Sequence, residues 1–320
     1  MTIKFERLVG SKDIPEVLWQ SQKKVMRLPS SLAKVWKDLL EYAGAMEIVQ
    51  RPRPSAGPIG GVDKKATNEH LAWGFQGSAA RVQLAMLDPH SDMPHISDAF
   101  AKIFSGGKVA LADLPCGSGA ASLTILSVVA ELRCKGVLPR NRLDVVIVGA
   151  EISKYARDYA TVGLAYMASY LEEQSIYIDT QVVNWNVCDS LTNTDFIRDF
   201  TIRSQACGAR MLMLANFSGF LQNSGNFKKA EPQINELFRY NRDSNSSVIW
   251  IEPQTNKAIA EANGIFSKVW AFLNKPLFGF AKRVSNDLEN PYSKSDVRIK
   301  NLIDLDSEIS VLLSVIRVDL

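Results

Sequence analysis

The chain has 320 residues, 46% hydrophobic and 22% charged, the profile of a folded protein rather than a disordered one. With 37 basic against 34 acidic side chains, the net charge of +3 is too small to mark a nucleic-acid binder by itself. No uncharged run reaches the ~20 apolar residues of a membrane span, and no apolar signal core follows Met1. Cys116, Cys134, Cys188 and Cys207 are too scattered for a zinc ribbon or a disulfide framework, so the expectation is a cytoplasmic protein without a structural metal.

The basic excess is local. Residues 1–54 hold ten basic and six acidic side chains. Nucleic-acid contact through Lys23, Lys24, Arg27, Arg51 and Arg53 is one reading of that bias, and a solvated face is the plainer one. The first 50 residues read as helical. Leu32, Val35, Trp36, Leu39, Leu40 and Ala43 share one helical stripe, with Ser30 and Ser31 as N-cap candidates. Six Pro or Gly among the eleven residues Arg51–Gly61 interrupt the pattern with a loop. Residues 69–87 and 95–104 read as helices again, separated by Asp88-Pro-His-Ser-Asp-Met-Pro94. His90 and His95 belong to this turn-rich stretch, and either could serve as a general base near an acceptor.

From Lys108 short apolar runs alternate with helix-length segments. The strand candidates are Val109–Leu114, Val145–Ala150, Val182–Val187, Met211–Ala215 and Val248–Ile251, then Leu277–Ala281 and Ile309–Val318. Ala120–Leu132 is apolar nearly all round, as a helix buried on a sheet would be. Tyr155, Tyr159, Val162 and Tyr166 suggest the buried stripe of the next helix, and Thr192-x-x-Asp195 a capping box for a third. This rhythm predicts a mostly parallel sheet covered on both faces. Arg283–Asn301 reads as polar loop, so the last two strand candidates would form a reversed pair at the sheet edge.

The stretch Asp113-Leu-Pro-Cys-Gly-Ser-Gly119 joins a strand to a helix through a Gly-x-Gly turn, where backbone can turn tightly and a ligand can approach the helix N-terminus. Asp113 at the strand end would repel a pyrophosphate and suit an ammonium group. Position 122 is Ser, where a dinucleotide fingerprint wants Gly. Glu151 ends the second strand and can accept hydrogen bonds from both ribose hydroxyls. It stands 32 residues after Gly119, against the usual dinucleotide spacing of ~20. Asp189, after the third strand, could hold an adenine amino group.

On these residues the chain resembles the class I S-adenosylmethionine-dependent methyltransferases over residues 105–320. Asp113–Gly119 looks like their glycine-rich first motif, with Pro115 where Gly is commoner. Glu151 and Asp189 match the acids ending their second and third strands, and Asn216 falls at the end of the fourth. The resemblance implies a seven-stranded Rossmann-like sheet with helices on both faces, and the pattern before it reads as an N-terminal helical extension over residues 1–104. It implies S-adenosylmethionine as cofactor, held by Asp113, Pro115, Cys116, Gly117, Gly119, Glu151, Ile152, Val187, Cys188, Asp189 and Asn216, with Asn216 also a catalytic candidate beside His90 and His95.

The acceptor is left open between a small molecule, RNA and protein. Ala215-Asn-Phe-Ser-Gly-Phe220 lacks the Asn/Asp-Pro-Pro-Tyr/Phe pattern of many exocyclic-amine methylases. The N-terminal helices and the Arg51–Gly61 loop are expected to border the acceptor opening, since additions at the carboxyl ends of strands shape access there. Two other readings stand beside active transfer. One is a methyltransferase-fold protein that binds RNA or a protein partner without turnover, faintly similar at Ile251-Glu-Pro253 to ribosome-assembly members of the superfamily. The other is an NAD-dependent oxidoreductase.

Overall fold

The computed structural model describes residues 7–53, 61–222, 225–243, 245–254, 282–284 and 292–320. Before Lys108 lie two short strands, β1 (Trp19–Gln20) and β2 (Val25–Met26), and five helices. These are α1 (Ser30–Ala43), α2 (Met46–Val49), α3 (Lys64–Trp73), α4 (Phe75–Leu87) and α5 (Pro94–Ile103). The α1 stripe is buried as its spacing predicts, and Gly44 ends the helix with φ +67°, a left-handed cap that glycine takes without a Cβ clash. Neither serine caps its start. Pro29 occupies the cap position and Ser30 is already helical. Helix also does not extend over the first 50 residues: the described chain before Pro29 is turns and the β1–β2 hairpin.

The apolar runs after Lys108 form the centre of one sheet. In chain order come β3 (Gly107–Leu114), α6 (Ala120–Cys134), β4 (Leu143–Glu151), α7 (Lys154–Glu172), β5 (Ile176–Asn184), α8 (Ser190–Ser204), β6 (Ala209–Ala215), α9 (Ser218–Gln222), α10 (Asn226–Tyr240) and β7 (Ser246–Pro253). The last three strands are β8 (Lys282–Val284), β9 (Ser293–Lys300) and β10 (Glu308–Asp319). Parallel pairing runs β5-β4-β3-β6-β7, and β10 lies antiparallel between β7 and β9.

The sheet is larger than the seven strands expected. The β1–β2 hairpin extends it, with β2 parallel to β9, and β8 pairs with β10 off the main path, making ten strands among the described residues. Ser293–Lys300 is therefore a strand and not the polar loop its charges suggest. Only Ser295, Val297 and Ile299 turn inward, so half the strand reads as surface. Leu277–Ala281 lies outside the described residues.

Two helical layers cover the sheet. Leu123, Ile125, Leu126, Val128 and Val129 of α6 share a core with α1, α3–α5 and α7 on one face. Phe196 and Phe200 of α8 join Ile234, Leu237 and Phe238 of α10 on the other. The third strand ends earlier than predicted, at Asn184, because Trp185 leaves the ladder to donate its indole N–H to Asn193. In α7 the buried line is Ala156, Tyr159, Ala160, Gly163, Leu164, Met167 and Leu171, whereas Tyr166 of the expected stripe is exposed. Gly163 permits that rotation. A Cβ there would stand 3.0 Å from Leu39 Cδ1 and 3.1 Å from Leu123 Cδ1.

Among the described residues no helix is long and apolar enough to cross a membrane.

Candidate functional site

The strand order reverses between β3 and β6, with α6 packed on one face and α8 and α10 on the other. Open α/β sheets bind ligands outside the carboxyl ends of strands at such a switch point. Gly117 (φ +52°) and Gly119 (φ +82°) shape the turn that leaves β3 there. A Cβ on Gly119 would lie 3.3 Å from the Ala160 Cα, so glycine also lets the start of α6 approach α7 closely. Pro115 opens the turn. Cys116 follows, its N–H bonded to Ala150 O at 2.9 Å and its Sγ packed where a Cβ on Gly149 would come within 3.1 Å. Burial pushes the Cys116 thiol well above the usual thiol range, which leaves it a space-filler at neutral pH.

Asp113 lies beneath the turn rather than on it. Its Oδ2 accepts from the Ser122 N–H (3.1 Å) and hydroxyl (2.6 Å), fixing the first turn of α6, while Oδ1 is buried with no partner. Burial raises its pKa to about 6 against the opposing pull of Ser122. Glu151, half-buried at the tip of β4, accepts from Gly117 N–H at 3.2 Å and Ser153 N–H at 2.9 Å. Burial raises this acid too, partly offset by those backbone donors. Each of its oxygens keeps a second acceptor position. Ile152 beside it is exposed.

Asp189 caps α8. Its Oδ1 accepts from Leu191 N–H at 3.1 Å, so the helix begins three residues before the Thr192 capping box would place it. Thr192 Oγ instead binds the Asn186 N–H and carbonyl. Val187 is buried in the core of the second face, and the Cys188 N–H donates to Asn186 Oδ1.

Asn216 follows β6 with φ +56°, a left-handed conformation that asparagine tolerates better than most residues. Its side chain is gripped by α4: Oδ1 accepts from Arg81 Nε (3.0 Å) and Nη2 (2.7 Å), and Nδ2 donates to Ser78 Oγ (3.0 Å). On the opposite face, buried Glu252 binds the Phe217 and Ser218 N–H groups, the Ser218 hydroxyl and the Trp250 indole, fixing the turn after β6. Across the crevice, Thr67 of α3 meets Ser153 hydroxyl to hydroxyl at 3.0 Å, two residues from Glu151. Helices α3 and α4 thus arch from the β4 tip to the β6 tip. His70 lies one helical turn after Thr67, with its pKa lowered by burial and by Arg81 and Arg53.

Arg81, Ser78 and His70 were not singled out from sequence, because isolated polar residues in helices read as solvated, and Glu252 was noted only within Ile251-Glu-Pro253. His90 and His95 belong to a different neighbourhood. His90 packs edge-on against Trp19, and the His95 carbonyl accepts from Arg317 on β10. A depression at the amino ends of the strands is lined by Lys108, Arg142, Asp144, Tyr177 and Asp179, where Arg142 pairs with Asp144 at 2.8 Å and Asp179 with Arg203 outside it at 2.6 Å.

By strand order and orientation, the fold is Rossmann-like, a parallel β5-β4-β3-β6-β7 sheet continued by antiparallel β10 and then β9. Among solved structures, the chain is similar to a Listeria monocytogenes protein described as a class I S-adenosylmethionine-dependent methyltransferase. The two are 13% identical, over 90% of this chain and 86% of that one, with a TM-score of 0.39. It is also similar to the rRNA methyltransferase AviRa of Streptomyces viridochromogenes: 11% identity, 53% of this chain, 73% of that one, TM-score 0.28. No protein-family model matches the chain, and no curated protein does.

The residues at the crevice fit an adenosyl ligand with a charged tail. Glu151 offers free acceptor positions for ribose hydroxyls at the β4 tip, and Asp113 holds an unpaired oxygen below the glycine turn. Among the described residues no group of three His, Cys, Asp or Glu side chains could hold a metal ion.

Proposed function

We infer that the protein binds S-adenosylmethionine across the tips of β4, β3 and β6 and transfers its methyl group to an acceptor entering beneath α3 and α4. The contact between Glu151 and Gly117 carries this reading, because it sets a ribose-binding acid directly against the glycine turn at the switch point. Asp113 adds a negative field under the turn, which favours a sulfonium and an ammonium and opposes a pyrophosphate. That opposition is the argument against NAD.

S-adenosylmethionine supplies an electrophilic methyl group on sulfur. The protein's part is to hold donor and acceptor in line, and positioning of that kind accounts for most of the rate such a site can give. The turn after β6 is fixed for this purpose from both faces, by Arg81 and Ser78 on one side and Glu252 on the other. The acceptor class stays between a small molecule, RNA and protein, with Lys23, Lys24 and Arg27 exposed near the β1–β2 hairpin for a nucleic acid.

Incubation with methyl-labelled S-adenosylmethionine and separate metabolite, RNA and protein fractions tests transfer. Label appearing in one fraction with the wild type, and not with Glu151→Ala, supports the enzyme. Donor binding without label in any fraction favours a binding protein on a methyltransferase fold.

A further inference from the structure

Arg81 is a half-buried cation at the crevice, and among the described residues no carboxylate pairs with it. It leaves the second turn of α4 on the α6 face and brings its guanidinium to the tip of β6, where Nε and Nη2 share one amide oxygen of Asn216. Among the described residues Nη1 has no hydrogen-bond partner, and no carboxylate lies within ion-pair distance. Glu252 is the acid whose field reaches Arg81, and its oxygens are occupied on the other face by Phe217, Ser218 and Trp250. Burial lowers the Arg81 pKa to about 10, so the group is still charged at neutral pH. A half-buried cation held only by a neutral amide oxygen keeps donor capacity in Nη1, and an arriving anion can use it.

Strand order says which anion. In the sequence β5-β4-β3-β6, the ribose acid sits on β4 and the adenine candidate Asp189 follows β5. The donor's amino-acid tail must then run the other way, over the tip of β3 towards β6. From β4 to β6 is two strand spacings, about 9–10 Å, which the donor's amino-acid chain spans. Asp113 lies under β3 on the same face as α4, between Glu151 and Asn216. A negative group for the ammonium and a positive one for the carboxylate therefore flank the expected position of the zwitterion.

We propose that Arg81, oriented by Asn216, seats the carboxylate of the donor's amino-acid end. This rests on the donor reading above. It gives the N-terminal helices a part in cofactor binding as well as in bordering the acceptor opening.

The test compares S-adenosylmethionine with decarboxylated S-adenosylmethionine, which differ by that carboxylate alone, by calorimetric titration of the full-length protein. The wild type is expected to prefer the carboxylated compound by about 10- to 150-fold, the range for hydrogen bonds to a charged group. Arg81→Ala is expected to erase most of the preference. Asn216→Asp supplies an internal carboxylate to Arg81 without leaving a gap, and is expected to erase it too, so the test survives if Arg81→Ala fails to fold. Equal binding of both compounds by the wild type overturns the proposal, as does a preference retained in Asn216→Asp and in folded Arg81→Ala; in both cases the donor reading stands. Failure of the wild type to bind either compound overturns both.

Discussion

Glu151 accepts the Gly117 N–H at 3.2 Å, so the acid that ends β4 and the turn that ends β3 hold each other in place. The contact arranges the site before any ligand arrives. Removing the carboxylate should cost twice, in lost acceptors for the ribose and in a looser turn. Glu151→Ala is expected to weaken S-adenosylhomocysteine binding by roughly 10- to 150-fold. Glu151→Gln, which keeps one acceptor oxygen, should fall between it and the wild type in the same titration.

The pH dependence of stability should carry the mark of Asp113. Its pKa rises on folding, from 3.8 to about 6, because the buried carboxylate resists ionisation. Such a group contributes stability that is complete below the unfolded value and is lost as pH rises through about 6. The shift corresponds to about 2–3 kcal/mol lost by neutral pH. Asp113→Asn does not ionise, so its melting temperature relative to the wild type should climb between pH 4 and pH 7.5. A difference that is flat with pH would contradict the burial of this acid. Donor affinity should fall in the same variant, since the field that favours the ammonium is gone.

Gly119 combines a left-handed backbone with close approach to α7. Gly119→Ala is expected to cost about 1–2 kcal/mol from the backbone alone, with more from the contact with Ala160. Chemical denaturation measures the loss. The variant should also bind donor more weakly, because the turn and the start of α6 must shift together.

The N-terminal region shares the core with the sheet. Trp36 is 1% exposed and donates its indole N–H to Leu71 O at 3.0 Å, while β2 pairs with β9. Trp36→Ala should therefore destabilise the whole protein by about 3–5 kcal/mol, the range for a large buried aromatic. Deleting residues 1–50 should give an insoluble or unfolded chain rather than a trimmed enzyme. A soluble, cooperatively melting truncation would contradict this.

The sequence was most readable where burial is symmetric. Val145–Ala150 and Met211–Ala215 are apolar on both faces and announce parallel strands without help from neighbours. Ser293–Lys300 shows what hides a strand: four of its eight residues carry charge, and its inward face is only Ser295, Val297 and Ile299. Thr192 reads as a cap from its spacing to Asp195, but its hydroxyl is taken by Asn186, and Asp189 caps the helix instead. The strand-to-helix turn Asp113–Gly119 was legible because its spacing is local, and Glu151 because it ends an apolar strand. Arg81 was not, since its burial depends on Asn216, 135 positions away in the chain.

Direct titration of the wild-type protein with S-adenosylhomocysteine and, separately, with NAD tests the central claim. Saturable binding of the adenosyl compound at one site per chain, with none of NAD, is the predicted result. NAD binding, or no uptake of the adenosyl compound, would contradict the assignment of the crevice.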